Sequence, residues 1–283
     1  MGSGASVTYF RPTELTDAID WLADNEARIA AGCTDLFAAE TGPSLKGPVL
    51  DVTAVTAMRK IERLADHWRI GAAATWTDVL RADLPVAFDG LKLAAREVGS
   101  VQIQNAGTVG GNLCNASPAA DGVPPLLTLD ASVEIASKSG VRTLLLQDFI
   151  TGPRQTALAP GELLTAVLVP EAAGAGRANF VKLGARKYLV ISIAMVAVRL
   201  VELEGHVAKA AVAVGACSAV AQRLPAVEKA LQGEPMVAGV SVPVTDAMIA
   251  DALAPITDIR ADAEYRADAA CELVRRTLEG AVT

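Results

Sequence analysis

The stretch TVGGNLCNASPAADG, from Thr108 to Gly122, decides how this chain is interpreted. It lies in a longer segment, from Gly99 to Pro125, where the regular spacing of apolar residues disappears. A loop of this length inside a compact domain is uncommon and is usually functional. Its glycines allow the backbone to approach a ligand closely and to turn several N–H groups towards one point, which suits a phosphate. We therefore predict an irregular loop over residues 99–125 that contacts a ligand.

A second glycine turn, AGCTD, runs from Ala31 to Asp35. The flanking residues predict a strand over Arg28 to Ala31 before the turn and a helix over Leu36 to Glu40 after it. Considered singly, either turn is explained by a tight bend that needs positive φ. Neither turn has the pattern GxGxxG, and no Gly-Lys-Ser/Thr follows a glycine-rich turn, so the Rossmann and P-loop fingerprints are absent. A phosphate-bearing cofactor would therefore need another scaffold, in which the two turns face each other.

The composition excludes several classes of protein. The chain has 283 residues with a net charge of −7, and its basic residues are scattered, so a nucleic-acid partner is not expected. The longest strongly apolar run covers only Leu189 to Val198, well short of the roughly 20 residues that cross a bilayer, so no membrane span is expected. The four cysteines form no CxxC pair, which predicts no metal site in this chain. The N-terminus lacks a secretory signal pattern, so we expect a cytoplasmic protein with free thiols.

The length predicts about two domains, at roughly 150 residues each. The glycine-rich and proline-containing segment 170–176 has linker composition and is the predicted boundary. We expect a domain over 1–173, with subdomains of about 1–57 and 58–173, and a second domain over 177–283. Apolar periodicity predicts helices at 12–27, 77–80, 91–98 and 261–278. It predicts strands at 48–52, 67–71, 131–136, 141–144, 163–169, 178–183, 191–202 and 207–216, of which 191–202 could begin as a helix.

Four strings in order resemble the FAD-binding medium subunit of molybdenum hydroxylases, the family of xanthine dehydrogenase and carbon monoxide dehydrogenase. They are IAAGCTDLF from Ile29, TVGGNLCNASPAADGVPPLL from Thr108, PGELL from Pro160 and NFVKLGARKYLVISIA from Asn179. The closing segment DIRADAEYRADAACELVRRTL, from Asp258, is similar to the end of that family. The resemblance implies an α+β fold: a two-subdomain FAD-binding fold of the vanillyl-alcohol-oxidase-like (PCMH) type, followed by a C-terminal domain of antiparallel sheet and helices.

The resemblance also implies which residues contact FAD. The two glycine turns would enclose the FAD pyrophosphate with backbone N–H groups. The implied residues are Ala30, Ala31, Gly32, Cys33, Thr34, Asp35 and Leu36 at the first turn, and Thr108, Gly110, Gly111 and Asn112 at the second. Single further contacts are Val98, Asn115, Ser117, Asp121, Leu164, Lys182 and Tyr188.

Three of these single contacts have alternative explanations. Asp121 matches a family acid that hydrogen-bonds FAD, but an Asp before a glycine also stabilises turns. Lys182 matches a family lysine, and a cation near the flavin N1 and C2 carbonyl would raise its reduction potential, although an isolated lysine is usually a solvated charge. Tyr188 could stack on the flavin or be a half-buried structural residue.

Cys33 departs from the family pattern, because most members have a second glycine there. If that position needs positive φ, the cysteine is strained by about 1 kcal/mol. The two histidines, His67 and His206, match no catalytic arrangement and are expected at the surface or in strands. We predict no catalytic residue and no metal ligand in this chain.

The resemblance implies the electron-transfer subunit of a heterotrimer, assembled as a dimer of heterotrimers. A large molybdopterin subunit would hydroxylate the substrate, and a small subunit with two 2Fe-2S clusters would pass the electrons to FAD on this chain and on to a terminal acceptor. Two alternatives remain open from the sequence: a stand-alone FAD oxidoreductase on a related fold, and a non-redox interaction subunit that has lost its cofactor.

Overall fold

A computed structural model describes residues 8–42, 45–187 and 189–283, and its N-terminal part is a small parallel sheet. Three strands pair in the order β1-β3-β2, and helix α1 connects the first two along the chain. Helix α1 lies within the predicted range and buries Ala18 and Leu22 against the sheet. The bounds are β1 (Tyr9–Phe10), α1 (Leu15–Asp24), β2 (Arg28–Ala30) and β3 (Val49–Asp51).

A five-stranded antiparallel sheet follows, with the order β4-β5-β10-β6-β7. Its central strand β10 is apolar and buried along most of its length, as expected for a strand covered on both faces. The strands are β4 (Ile61–Arg63), β5 (His67–Gly71), β6 (Ser132–Ser137), β7 (Gly140–Leu145) and β10 (Leu163–Pro170). Accompanying elements are α2 (Trp76–Arg81), α3 (Asp89–Glu97), α7 (Leu146–Phe149) and a hairpin of β8 (Ile150–Gly152) and β9 (Gln155–Thr156).

The predicted irregular loop over 99–125 is wrong, because the segment forms short helices. These are α4 (Val101–Ala106), α5 (Val109–Asn115) and α6 (Val123–Thr128). Ser100 and Thr108 cap the first two through side-chain oxygens that accept backbone N–H bonds. Each helix is too short to show a periodic apolar pattern, so the caps were the available signal. The helix predicted over 36–40 is also wrong, since residues 34–39 form hydrogen-bonded turns.

The C-terminal part is a four-stranded antiparallel sheet, β11-β12-β13-β14, covered by helices. The segment 191–202 contains no helical start, because the strand begins at Ala194 after an extended loop. The long helix α10 packs against β11 and β12. The bounds are β11 (Arg177–Leu183), β12 (Ala194–Leu203), β13 (His206–Gly215), β14 (Gln222–Arg223), α8 (Pro225–Leu231), α9 (Asp246–Ala250) and α10 (Ala263–Val282).

The fold therefore combines an N-terminal two-sheet part with a C-terminal antiparallel sheet and helices, as the sequence predicts. Each part has its own apolar cluster, one around Ile70 and Leu126 and one around Val198 and Leu273. A small third cluster around Phe180 lies where α3 meets β11. In the described ranges, no helix is long and apolar enough to cross a membrane.

Candidate FAD site

A cavity of about 530 Å³ lies between the two glycine turns and β10, within the size range of cofactor pockets. Thirteen of the eighteen residues that the sequence associates with FAD line it. They are Ala31, Gly32, Cys33, Thr34, Asp35, Leu36, Val98, Thr108, Gly110, Gly111, Asn112, Asn115 and Leu164.

The two glycine turns are in direct contact. A Cβ atom on Gly32 would lie 2.1 Å from the carbonyl oxygen of Ala106 and 2.7 Å from Cα of Gly107. No real Cβ approaches backbone atoms so closely, so only glycine fits at this position. The turn after β2 and the end of α4 therefore meet without side chains between them, directly before the second glycine turn. The cavity opens beside this contact.

The first turn presents backbone donors that have no partner. Within the described residues, the N–H groups of residues 32–36 donate to no backbone or side-chain acceptor. Gly32, Cys33, Thr34 and Leu36 are half-buried and Asp35 is exposed, so this turn is open to a ligand on the cavity side. Successive free N–H groups form concave sites that bind anions. Among the described residues, no lysine or arginine lines the cavity, and its charged side chains are Asp35 and Glu162. An anion bound here would be held by backbone dipoles.

Cys33 has the left-handed conformation, with φ of 57°. The condition for strain at this position is thus met, since a side chain with a Cβ costs about 1 kcal/mol there. Burial raises the pKa of its thiol, and the negative charge of Asp51 adds to the effect. Cys33 is therefore a neutral thiol at pH 7 and a weak nucleophile.

The second turn is shaped by α5. Gly110 packs on the backbone of Ala72, where a Cβ would lie 2.7 Å from the carbonyl oxygen, whereas a Cβ on Gly111 would meet only the capping hydroxyl of Thr108, at 2.8 Å. Gly111 is exposed to the cavity. The side-chain oxygen of Asn112 is buried beside Gly122 and has no hydrogen-bond partner among the described residues.

Asp121 and Lys182 do not line the cavity. The ammonium of Lys182 donates to Oδ2 of Asp121 at 2.6 Å and to the carbonyl of Glu97 at 3.2 Å. The side chains are only 5% exposed for Lys182 and 9% exposed for Asp121, so the lysine is not a solvated surface charge. Burial raises the pKa of Asp121 in spite of the nearby ammonium.

The remaining predicted contacts also lie outside the wall. Ala30 is buried in β2, between Ile29 and Ala31, which both line the cavity. Ser117 accepts a hydrogen bond from the N–H of Ala119 and stabilises the turn after α5. Tyr188 lies outside the described residues.

Sequence reasoning missed twelve residues of the wall. Glu162 and Leu163 belong to the PGELL string and could have been included on that signal. Ile29 and Cys114 lie within the quoted strings that begin at Ile29 and Thr108, and Gly107 directly precedes the second string, so the same signal applies to them. The rest are mostly small or apolar side chains that reach the cavity only through tertiary packing, and no local pattern marks them. The missed residues are Ile29, Ala39, Val52, Met58, Ala72, Trp76, Ile103, Gly107, Cys114, Leu158, Glu162 and Leu163.

Comparison with known proteins identifies the class to which this cavity and fold belong. Residues 5–172 match the model of the FAD binding domain in molybdopterin dehydrogenase, and residues 179–281 match the CO dehydrogenase flavoprotein C-terminal domain. The fold and the site are thus those of a flavoprotein component of a dehydrogenase. This chain belongs to the family of FAD-binding medium subunits of molybdopterin dehydrogenases.

Individual relatives align along nearly the whole chain. The nicotine 6-hydroxylase medium subunit of Paenarthrobacter nicotinovorans is 31% identical over 280 residues, covering 96% of each chain. A putative xanthine dehydrogenase FAD-binding subunit of Escherichia coli is 30% identical and covers 97% of this chain and 96% of its own. Among solved structures, reconstituted CO dehydrogenase from Oligotropha carboxidovorans superposes with a TM-score of 0.89 at 28% identity, over 100% of this chain and 99% of its own.

Proposed function

We propose that this chain binds FAD in the cavity between its glycine turns and serves as the electron-transfer subunit of a molybdenum hydroxylase. The observation that carries the proposal is the run of unpartnered N–H groups at residues 32–36 in the cavity wall. A diphosphate needs convergent donors, and this turn supplies them without the bulk of side chains. Membership of the family adds the electron-transfer role and the partner subunits.

Different residues of the cavity wall would contact different parts of the cofactor. The amides of residues 32–36 would hold the diphosphate, and the unpartnered oxygen of Asn112 would accept a hydrogen bond from a donor of the cofactor. Apolar side chains such as Leu164 and Val98 would cover the cofactor and exclude water. Bound FAD would supply the redox chemistry, exchanging electrons between the clusters of the small subunit and a terminal acceptor. The protein contributes binding, orientation and electrostatics.

The proposal extends to the predicted contacts outside the wall and to the assembly. Ala30, Ser117, Asp121, Lys182 and Tyr188 are retained as proposed FAD contacts. We propose a FAD-binding domain over 1–173 and a C-terminal domain over 177–283, a division supported by the two separate apolar clusters. A dimer of heterotrimers with the large and small subunits is the proposed assembly. The four unpaired cysteines support a reducing, cytoplasmic location.

The test is to isolate the tagged chain from its native source under mild conditions and to assay each fraction for flavin, iron and molybdenum. We expect all three to elute together with two further polypeptides. A flavin-containing chain that elutes alone and oxidises a small substrate would instead support the stand-alone oxidoreductase. A colourless chain that takes up no FAD would contradict both readings and leave an interaction subunit.

A further inference from the structure

A buried polar cluster lies behind the cavity and joins the two parts of the chain. It consists of Asp121 from the loop between α5 and α6, Lys182 from β11, and Ser192 from the loop before β12. Ser192 is 1% exposed, and its hydroxyl donates to Oδ1 of Asp121. We call these residues the Asp121 cluster. Ser192 lies within the string NFVKLGARKYLVISIA, but no local pattern predicts a role for it.

Within the cluster, one N–H donor of the Lys182 ammonium is not used. An ammonium has three N–H donors, and Lys182 uses two of them, on Asp121 and on the carbonyl of Glu97. The third has no acceptor in the part of the chain that the structure describes. Asp121 is held from both sides, because Lys182 donates to Oδ2 and Ser192 donates to Oδ1. Ser192 therefore fixes the rotation of the carboxylate that in turn fixes the ammonium.

The cluster is in direct contact with the elements that form the cavity wall. Lys182 donates to the carbonyl of Glu97, and the next residue, Val98, lines the cavity. A Cβ on Gly122, next to Asp121, would lie 2.4 Å from the ring of Trp76, which also lines it. A displacement of the ammonium would thus move Glu97, next to Val98 of the wall, and a displacement of the carboxylate would move Gly122, next to Trp76 of the wall.

We propose that Ser192 is a positioning residue that orients Asp121, so that the ammonium of Lys182 keeps a fixed place behind the cavity wall and helps to set the reduction potential of bound FAD. The inference rests on the proposed function, because it presupposes that FAD binds in the cavity. A fixed cation stabilises the more negative, reduced form of the cofactor, and a cation free to move stabilises it less. The hydroxyl of Ser192 acts through Asp121 and touches no reacting atom.

The experiment compares Ser192→Ala with Ser218→Ala in the full chain. Ser218 is a matched control: it is a buried hydroxyl of the C-terminal part that donates to the carbonyl of Cys217, away from Asp121. The first readout is the titration of the Asp121 carboxyl, followed by carbon-13 NMR in the FAD-free chain. The charged groups that act on this carboxyl are Lys182, which favours ionisation, and Glu97, which opposes it. Loss of the Ser192 donor removes a bond to the charged form, so the pKa of Asp121 rises further in Ser192→Ala only.

The second readout is the reduction potential of FAD bound to the reconstituted chain. The potential is measured at a pH where the first readout shows Asp121 ionised in both chains. We expect it to fall in Ser192→Ala, so that the preference for reduced over oxidised FAD drops by roughly tenfold, the worth of one hydrogen bond to a charged group. The FAD content should stay at the wild-type level, because the cavity wall is unchanged. Ser218→Ala should match the wild type in both readouts, and Ser192→Thr, which keeps the hydroxyl, should restore the potential.

Unchanged titration and potential in Ser192→Ala would overturn the inference. If Ser192→Ala does not fold, Ser192→Cys replaces the hydroxyl with a weaker donor of similar size and must show part of both changes; wild-type values there would overturn it equally. If the wild-type chain takes up no FAD, the proposed function fails, but the titration of Asp121 in the FAD-free chain still decides whether Ser192 positions it.

Discussion

At the residue scale, Cys33 is the point where the sequence and the required backbone conformation disagree. Its φ of 57° lies in the region that glycine adopts without cost, whereas a residue with a Cβ pays about 1 to 2 kcal/mol. The residue nevertheless stands in the turn whose N–H groups have no partner. The strain is therefore located in the segment that we propose holds the diphosphate.

We predict that Cys33→Gly stabilises the chain by about 0.5 kcal/mol, because relief of the left-handed strain exceeds the extra entropy of glycine in the unfolded state. FAD affinity should be unchanged or higher, since the backbone donors are retained. Urea unfolding and flavin titration measure the two quantities. Cys33→Ala is the matched control: it removes the thiol but keeps the Cβ, so it should show no gain. Equal gains in both variants would mean that the thiol, not φ, is responsible.

Gly111 differs from the other glycines of the site because its missing side chain faces the cavity. We predict that Gly111→Leu lowers FAD affinity by about a hundredfold, since overpacking a filled site costs roughly 1 to 3 kcal/mol. The fold should survive, with a loss of at most about 1 kcal/mol from the disturbed Thr108 cap. Flavin titration and thermal unfolding separate the two effects. Full flavin content in Gly111→Leu would show that this turn does not contact the cofactor.

The residues of the site differ in how far the sequence could predict them. The glycine turns could be predicted, because backbone approach to a ligand imposes a residue type that stands out locally. The contact between Asp121 and Lys182 could not, since the two residues are 61 positions apart and meet only when β11 docks on the loop before α6. The same holds for Trp76 and Met58, whose apolar side chains resemble any core residue until the cavity is formed.

At the scale of elements, side-chain caps mark the helices that the apolar periodicity of the sequence did not predict. Over residues 99–125 the apolar pattern is too short to reveal helices, and two capped helices flank the second glycine turn. The long helix α10 is the opposite case, because its composition predicts it clearly. Its first turn carries Arg266, which is 2% exposed and donates to the carbonyls of Ile193 and Ala216. Arg266 also pairs with Asp258, which makes this end of the helix sensitive to pH.

We predict that acid weakens this part of the fold through Asp258. The N–H of Arg260, together with the guanidinium groups of Arg266 and Arg260, lowers the pKa of Asp258 to about 2. A carboxyl with a lowered pKa in the folded state contributes stability above its ordinary value of 3.8, and this contribution is lost as the pH falls towards 2. Unfolding free energies measured between pH 5 and pH 2, at about equal ionic strength, should show this decline.

Asp258→Asn should remove that part of the pH dependence and destabilise the chain at pH 7 by about 2 kcal/mol, because the buried guanidinium of Arg266 loses its counter-charge. Asp268→Asn is the control: Asp268 is exposed on the same helix and forms no ion pair in the described ranges. Wild-type stability and pH dependence in Asp258→Asn would show that Arg266 is satisfied by the two carbonyls alone.

At the scale of the whole molecule, Asp130 links the two parts of the chain. It lies between α6 and β6 and pairs with three cations of the C-terminal sheet: Arg199 at 2.9 Å, Lys209 at 2.8 Å and Arg223 at 3.0 Å. Burial alone would raise the pKa of Asp130, but the hydrogen bonds from Lys209 and Arg223 hold it below the usual value. The side chain of Arg199 is fully buried and also donates to the carbonyl of Thr128. Asp130 thus adds a charged contact to the packing between the two parts, in which α6 lies against β12 and β13 and α3 lies against β11.

We predict that Asp130→Asn uncouples the two parts. Asparagine tolerates the positive φ of this position, 52°, so the change removes charge without adding backbone strain. Arg199 is left buried without a counter-charge, which we expect to cost about 3 kcal/mol. In calorimetry the wild type should unfold in one transition that FAD raises as a whole, because a ligand stabilises every part that unfolds with its site. The variant should show two transitions, of which FAD raises only one.

Lys209→Gln provides the control for this test. Its side chain is 56% exposed, so loss of its ion pair with Asp130 should cost at most about 1 kcal/mol and leave a single transition. A single transition in Asp130→Asn with the wild-type response to FAD would mean that the packing of α3 and α6 against the C-terminal sheet is enough to hold the parts together. If both variants unfold in two transitions, the exposed ion pair of Lys209 contributes more to the coupling than expected for a solvated pair. The coupling would then be assigned to all three ion pairs of Asp130 and not to the buried Arg199 alone.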